Sequence, residues 1–392
     1  MKVCIVSPQG YTGLAYHDYG LCAGITQAGA TCWLITSDDY ILSHLLPARE
    51  GFQVLKLFRG ISSSMGRRWK RGINYILSLT SVFYELRHSG APLVHWQLPQ
   101  LPMFDLFFFL ILKRYGFVIV LTPHDILPLD YSVGWNRRIY ETMYQLVDGV
   151  VVHGEHVLQY ARTFVAIPED KIFVIPHGNY DPFVTRIIPE KARRELGIPL
   201  DRHVVLFFGV IRKSKGLACL IEAFAKSRAV NPHLFLVIAG RPNRRENVEW
   251  YINEIKRYDI GHSAQLEIGF IPDDKRDRYF SSADVVVLPY TRIFSSGVIH
   301  LAYSYGVPVI ASDLPTFQDI VVQGKTGFLF PSGNADALCE RIVALFADQR
   351  QIQFIKEHAL MEASKYSWER IGRTTIQMYY KLLERKAHEL HK

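Results

Sequence analysis

The stretch from Asp284 to Ser312, DVVVLPYTRIFSSGVIHLAYSYGVPVIAS, limits the folds open to this chain more than any other. Val285 to Leu288 is a short uninterrupted apolar run rich in β-branched side chains, the pattern of a strand covered on both faces of a parallel sheet. The loop Pro289 to Phe294 leads to Ser295, Ser296 and Gly297, which open a helix with Val298, Leu301, Ala302 and Tyr305 on one face. Gly306 and Pro308 stop it, and Val309, Ile310 and Ala311 begin the next strand, which completes a βαβ unit. The first turn of such a helix carries free N–H groups and the positive end of the macrodipole, and small residues let an anion approach the backbone. Ser-Ser-Gly therefore reads as a phosphate seat or as an N-cap with a flexible neighbour, and by itself it does not choose.

A second unit upstream has the same form. Val204 to Phe208 is a strand ended by Gly209, the loop Val210 to Gly216 holds Arg212, Lys213 and Lys215, and Leu217, Leu220, Ile221 and Phe224 mark a helix. Cations crowded at a helix N-terminus oppose the macrodipole, so they suit a bound anion better than they suit the helix; a basic surface loop is the alternative. Further on, Gln265 to Ile268 is a strand followed by Gly269, Phe270, Ile271 and Pro272. That segment offers an apolar side chain and free backbone groups to a flat base, or is an ordinary turn.

The first half opens in the same way. Val3 to Ser7 is a strand, a loop ending at Gly13 precedes a helix carrying Leu14, Leu21, Cys22, Ile25 and Ala28, and Thr31 to Thr36 is the next strand. The loop PQGYTGLA has Gly10 and Gly13 but not the GxGxxG spacing of a dinucleotide fingerprint, and reads as a glycine loop facing a cleft or as a plain turn. Arg67, Arg68, Trp69, Lys70 and Arg71 precede a helix from Ile73 to Leu86. Such a basic, aromatic edge suits anionic lipid, and also the solvated start of a helix. Phe104 to Tyr115 is apolar nearly all round, which fits a core helix and a membrane contact alike. Phe117 to Leu121 is a strand, and Thr122, Pro123, His124 and Asp125 follow at once. Ligands of open parallel sheets gather beyond the carboxyl ends of the strands, so His124 stands where chemistry is expected, although a lone histidine is often structural. His153 and His156 read as capping or surface residues at a helix start. The turn-rich Pro176 to Pro182 reads as a hinge.

A chain of 392 residues is too long for one ordinary core, and two βαβ-rich halves with a hinge predict an α/β protein of two doubly wound, Rossmann-like domains facing a cleft, residues 1–180 and 181–365. Five cysteines without CxxC spacing argue against a disulfide framework or a zinc site and suit a reducing cytoplasm. Met1 to Ser7 runs straight into a strand pattern, so no signal peptide is expected. The longest apolar run, Leu106 to Leu112, is far shorter than the roughly 20 residues of a spanning helix. A net charge of +8 with no RNP-like or zinc-finger signature fits phosphates and an anionic membrane surface better than nucleic acid.

Taken in order, GLAYHDYGLCAGITQAGA, LTPHDILP, IPHG, FFGVIRKSKGLACLIEAF, FSSADVVVLPY, SGVIHLAYSYGVPVIAS and GKTGFLFPSG resemble the GT-B glycosyltransferases of family 4, the group 1 transferases, over nearly the whole chain. The resemblance implies transfer of a hexose from a nucleotide diphosphate sugar with retention at the anomeric carbon, no metal and no cofactor beyond the donor substrate. Protein cations and helix dipoles then take up the diphosphate charge. It implies that Arg212 and Lys215 bind phosphate, that Ser295, Ser296 and Gly297 receive the diphosphate, and that Gly13 belongs to the loop facing it. It also places Phe270 and Ile271 along the base, His124 by the transferred sugar, and the terminal helix, 366–392, back across the N-terminal domain. The family's paired glutamates are missing: Ile293 and Leu301 stand in their places, and a shift of one gives Phe294 and Ala302. The basic balance suggests a glycan or polyprenyl-linked acceptor in surface polysaccharide or glycolipid synthesis, reached from the cytoplasm at the inner membrane face by peripheral contact. A nucleotide-sugar epimerase, a phosphorylase, or a non-catalytic binding protein are the competing readings.

Overall fold

The computed structural model describes residues 1–45, 51–62, 68–126, 135–165, 167–244 and 246–390; Arg67, and Leu127 and Pro128 at the end of LTPHDILP, lie outside them. The chain forms two compact units, residues 1–178 with 366–392, and residues 179–365.

The first unit is built on a seven-stranded sheet of β1 (Lys2–Ser7), β2 (Thr31–Ser37), β3 (Gln53–Phe58), β4 (Leu93–Gln97), β5 (Val118–Thr122), β6 (Gly149–Val152) and β7 (Ile172–Val174). All pairs are parallel, in the order β3-β2-β1-β4-β5-β6-β7, so the winding reverses between β1 and β4. Every residue of β4, β5 and β6 is buried, and β5 and β6 accordingly read as near-continuous apolar runs rather than alternations. Alternate side chains serve opposite layers. Val94, Trp96, Ile119 and Leu121 join Val82, Leu86, Phe109 and Leu112 of the helices Arg68–Ser89 and Pro102–Arg114 in one core. On the other side of β4, His95 Nδ1 lies 2.6 Å from the Tyr379 hydroxyl of the terminal helix, Trp368–Leu390, and its Nε2 lies 2.6 Å from Thr122 Oγ1.

The terminal helix docks on the helix Leu14–Gln27 at glycines. A Cβ on Gly24 would stand 2.1 Å from the Trp368 carbonyl oxygen, and one on Gly372 would stand 2.1 Å from Gly24 backbone atoms. Only hydrogen at both positions allows backbones to approach so closely.

The second unit carries β8 (His203–Phe208), β9 (Leu234–Gly240), β10 (Ala264–Ile268), β11 (Val285–Leu288), β12 (Val309–Ser312) and β13 (Gly327–Phe330), again all parallel, in the order β10-β9-β8-β11-β12-β13. Val205, Phe207, Val285 and Val287 face a core with Leu220, Phe224, Leu338 and Ile342. Leu206, Val286 and Leu288 face a second core with Phe280, Ile299 and Tyr303. Two cores on opposite faces make the sheet doubly wound, and its winding reverses between β8 and β11. The helices Pro189–Leu196, Asp273–Ser282 and Gln349–Ser364, and strand β3, have no counterpart in the sequence reading. Asp273–Ser282 hides its signal because part of what it buries is polar: Arg276 and Asp277 go inside with Tyr279 and Phe280.

Candidate functional site

In the second unit the loops after β8 and β11 leave the sheet on either side of the reversal, where open α/β sheets hold ligands. The β8 loop turns at Gly216, whose backbone is left-handed at φ +67° and whose missing Cβ leaves room for the Pro289 carbonyl oxygen, 1.7 Å from where that atom would stand. This contact presses the loop carrying Arg212 and Lys215 onto the end of β11, and Thr291 N–H donates to the Ser214 carbonyl at 2.9 Å. Lys213 is exposed, while Arg212 and Lys215 are half-buried.

Tyr290 is the residue on which these groups converge, and the sequence reading passes over it. Its ring is fully buried against Phe317, with centroids 5.3 Å apart, and Lys215 Nζ lies 3.6 Å from the ring centroid. Its hydroxyl is directed at Ser296 and feels the Arg212 guanidinium; burial is the main influence and pushes the phenol up, so it stays an O–H donor at neutral pH. Tyr290 Oη, Ser296 Oγ and Arg212 Nε are all buried without a hydrogen-bond partner of good geometry. Unpaired buried donors are costly, and here three sit together beside an ammonium group. An anion within reach of all three would satisfy them.

Ser296 occupies the N-cap position of the helix Gly297–Ser304 but makes no capping hydrogen bond. Gly297 follows because a Cβ there would stand 2.6 Å from the Tyr180 hydroxyl. Thr316 Oγ1 donates to the Ile293 carbonyl at 3.2 Å and ties down the approach to Ser295, which is half-buried. Leu301, Phe294 and Ala302 are buried, and Ile293 packs on the same core, so these positions serve packing and put no carboxylate beside the helix. Phe270 follows the edge strand β10 and is 68% exposed, whereas Ile271 packs on the core. The structure brings Arg212, Lys215, Ser296 and Gly297 to one place and sets Phe270 at the sheet's edge.

In the first unit the residues after the carboxyl ends of the strands include a cluster of histidines that sequence reading reduces to His124 alone. His124 has φ +57°, a left-handed backbone unusual for a non-glycine residue. Its ring centroid lies 4.8 Å from that of His17 and 5.1 Å from that of His153, and His177 is 5.1 Å from His17. Trp368 closes the group at 5.4 Å from His17. His153 is therefore not the capping or surface residue expected: Nδ1 lies 2.9 Å from the Ile175 carbonyl and Nε2 lies 3.3 Å from His124 Nδ1. Burial is the main cause that lowers all of these imidazoles, His177 to about 4 and His95, beneath them, to about 3. Among the described residues no three His, Cys, Asp or Glu side chains are arranged to hold a metal ion. Gly13 is the N-cap of the helix Leu14–Gln27, with helical φ −57° and open space where a Cβ would be, so its backbone strain does not require glycine.

Comparison with known proteins fits this layout. Residues 11–179 match the family described as Glycosyltransferase Family 4, and residues 189–365 match Glycosyl transferases group 1. The chain is 29% identical over 217 residues to a D-inositol 3-phosphate glycosyltransferase of Corynebacterium urealyticum, covering 53% of this chain and 50% of the relative. It is 26% identical over 213 residues to the lipopolysaccharide 1,2-N-acetylglucosaminetransferase of Salmonella typhimurium, covering 53% and 55%. The matches thus span about half the length of these curated relatives. Among solved structures, sucrose-phosphate synthase from Thermosynechococcus elongatus superposes with a TM-score of 0.78 at 19% identity over 98% of this chain and 99% of that one. Anabaena Alr3699/HepE, solved in complex with UDP and glucose, gives 0.76 at 19% over 97% and 99%. With one family matching each half and the GT-B fold matching nearly throughout, the chain belongs to the group 1 glycosyltransferases of family 4.

Proposed function

We propose that the protein transfers a hexose from a nucleotide diphosphate sugar to a glycan or polyprenyl-linked acceptor, with retention and without a metal ion. The observation that carries this reading is the cluster of unpaired donors, Arg212 Nε, Tyr290 Oη and Ser296 Oγ, next to Lys215 at the reversal of the second sheet. A departing diphosphate gains negative charge, and fixed cations and hydroxyls stabilise it most when that charge is greatest. In this reading Ser295 and Gly297 line the same seat, Gly13 belongs to the glycine loop on the donor side, Phe270 and Ile271 attend the base, and His124 orients the sugar. The UDP and glucose held by the Anabaena protein support this donor class. Lys215→Ala is expected to lower the turnover of a nucleotide sugar by about 100-fold or more while the fold is kept. Unchanged turnover on a substrate the wild type uses would sink the assignment. The apolar Ile293 and Leu301 favour, as a second reading, a protein that binds nucleotide without turning it over. Product analysis with and without acceptor separates that, and an epimerase or phosphorylase, from a transferase.

The acceptor part of the proposal rests on a surface of the first unit. The helices Arg68–Ser89 and Pro102–Arg114 lie side by side, joined by the Tyr75–Asp105 hydrogen bond and by Phe83 against Tyr115 at 5.0 Å. Both turn apolar side chains outward, Trp69, Ile73 and Leu77 on one and Phe104, Phe107 and Leu110 on the other, with Leu77 62% and Phe107 64% exposed. Arg68, Lys70, Arg87 and Arg114 are exposed on the same helices. Exposed apolar side chains mixed with cations on two neighbouring helices suit an anionic bilayer, while a second copy of this face would set like charges together. Among the described residues no helix is long and apolar enough to cross a membrane, so the contact would be peripheral. Vesicles containing phosphatidylglycerol are expected to sediment the protein, neutral vesicles to leave it in solution, and Phe107→Glu with Leu77→Glu to abolish the difference. Equal partition to both vesicle types would refute the anionic-membrane contact.

A further inference from the structure

The hydrogen bonds around His124 determine which of its nitrogens carries the proton. His153 Nδ1 lies 2.9 Å from the Ile175 carbonyl, which can only accept, so that nitrogen holds a hydrogen. A neutral His153 then has its lone pair on Nε2, 3.3 Å from His124 Nδ1, and His124 must donate there. That leaves His124 Nε2 as an acceptor, 2.9 Å from the end of the Gln97 amide. With the amide oxygen facing the ring, Gln97 Nε2 is buried without a partner; a half-turn of the amide presents the nitrogen to the ring and puts the oxygen, less costly to leave unpaired than an N–H group, in the unpartnered place. Charging either ring is opposed by the company it keeps, since His17 lies 4.8 Å from His124 and 5.3 Å from His153, with His177 5.8 Å from His153.

We propose that His153 is a positioning residue for His124: a one-way chain from the Gln97 amide through His124 and His153 to the Ile175 carbonyl holds the His124 ring in the Nδ1–H tautomer, with Nε2 as an acceptor. The inference rests on the reading above in which His124 meets the sugar. A sugar hydroxyl reaching this ring would then donate to it, in place of the Gln97 amide, rather than receive a hydrogen bond from it. The same chain braces the His124 ring although its backbone sits in the left-handed region, where a non-glycine residue is otherwise strained. Sequence could not reveal the link, because the two residues follow different strands, β5 and β6.

Nitrogen-15 NMR of histidine-labelled protein, with His124 assigned by the loss of its signals in His124→Asn, reads the tautomer directly and does not depend on activity. The Nδ1–H pattern is expected at His124 in the wild type, and the Nε2–H pattern there would overturn the proposal. In His153→Phe the acceptor is gone, and His124 is expected to move toward the Nε2–H form. His153→Gln, which can still accept at the same place, is expected to keep the wild-type pattern. With a nucleotide sugar that the wild type turns over, kcat/KM is expected to fall about tenfold in His153→Phe and to stay within about threefold in His153→Gln. Equal losses in both variants would mean that His153 only fills space, and would overturn the proposal. Should the wild type turn over no donor, the transferase reading fails while the tautomer measurement still decides the hydrogen-bond chain. Should Lys215→Ala behave as expected while His124 shows Nε2–H, the chain alone fails.

Discussion

Tyr290 places its ring beneath Lys215, and its hydroxyl feels Ser296 and Arg212, so the two parts of the side chain can be tested apart. Tyr290→Phe keeps the ring and its packing on Phe317 while it removes one donor from the anion seat. Affinity for a nucleoside diphosphate is expected to fall about fivefold to tenfold by calorimetry, with the melting temperature of the free protein held or slightly raised, because the orphan hydroxyl is gone. An unchanged affinity would show that the hydroxyl does not meet the ligand. Asp18 invites a second test. Both carboxylate oxygens are buried without a hydrogen-bond partner, and burial pushes the group up to about 7. The folded state therefore keeps a proton that the unfolded chain releases near pH 4, and stability is lost as pH rises from about 4 through about 7. Asp18→Asn is expected to match the wild type near pH 4 and to exceed it at pH 8 by a few kcal/mol in denaturant titrations; an advantage that does not grow with pH would refute this account. At this scale the sequence shows Arg212, Lys215, Ser296 and Gly297, because each lies within a few residues of a strand end and a helix start. It does not show Tyr290, which reads as one more residue of the loop Pro289 to Phe294. Nor does it show that His17, His124, His153 and His177 meet, since only the parallel order of β1, β4, β5, β6 and β7 brings them to one edge.

Between elements, the tightest constraint is the crossing of the helices Leu14–Gln27 and Trp368–Leu390. Gly24 faces the Trp368 backbone and Gly372 faces Gly24, so a side chain at either forces the helices apart. Gly24→Leu is expected to destabilise the first unit by about 3 kcal/mol, as overpacked contacts do, and to expose the terminal helix to limited proteolysis. A melting curve and digestion pattern like those of the wild type would mean that the helix does not dock there. Tyr379 adds a polar tie in the same contact, through His95 and Thr122. Ile371, Thr375, Met378, Tyr379 and Leu382 recur at helical spacing along the terminal helix and are all buried; the spacing alone does not say what covers them, and only the resemblance points to the N-terminal domain. Periodicity reports which face is covered but not what covers it. Strand β3 escapes for the opposite reason: as an edge strand, only Phe58 of its six residues is buried, so it lacks the unbroken apolar run of the central strands.

At the level of the molecule, the two units carry their buried ionisable groups unequally, and this should separate them in acid. His17, His95, His124, His153 and His177 all belong to the first unit and are all held below the ordinary imidazole range, chiefly by burial. Each binds its proton near pH 6.5 when unfolded and only at lower pH when folded, so each subtracts stability as pH falls from about 6.5 toward its folded value, by about 1.4 kcal/mol per pH unit within that window. Asp18 and Asp105, also in the first unit and both raised to about 7, act in the other direction over pH 4 to 7. Five groups against two leave a net loss on acidification below about pH 6.5. In the second unit His203 is lowered but only half-buried, and His300 is buried, so that unit carries fewer such histidines than the first. Calorimetric scans are therefore expected to show one part of the chain melting at steadily lower temperature from pH 7 to pH 5 while the other changes less. His17→Asn together with His177→Asn should flatten that dependence. If both transitions moved together, or neither moved, the histidines would not be buried in the neutral state that the packing of the first unit requires.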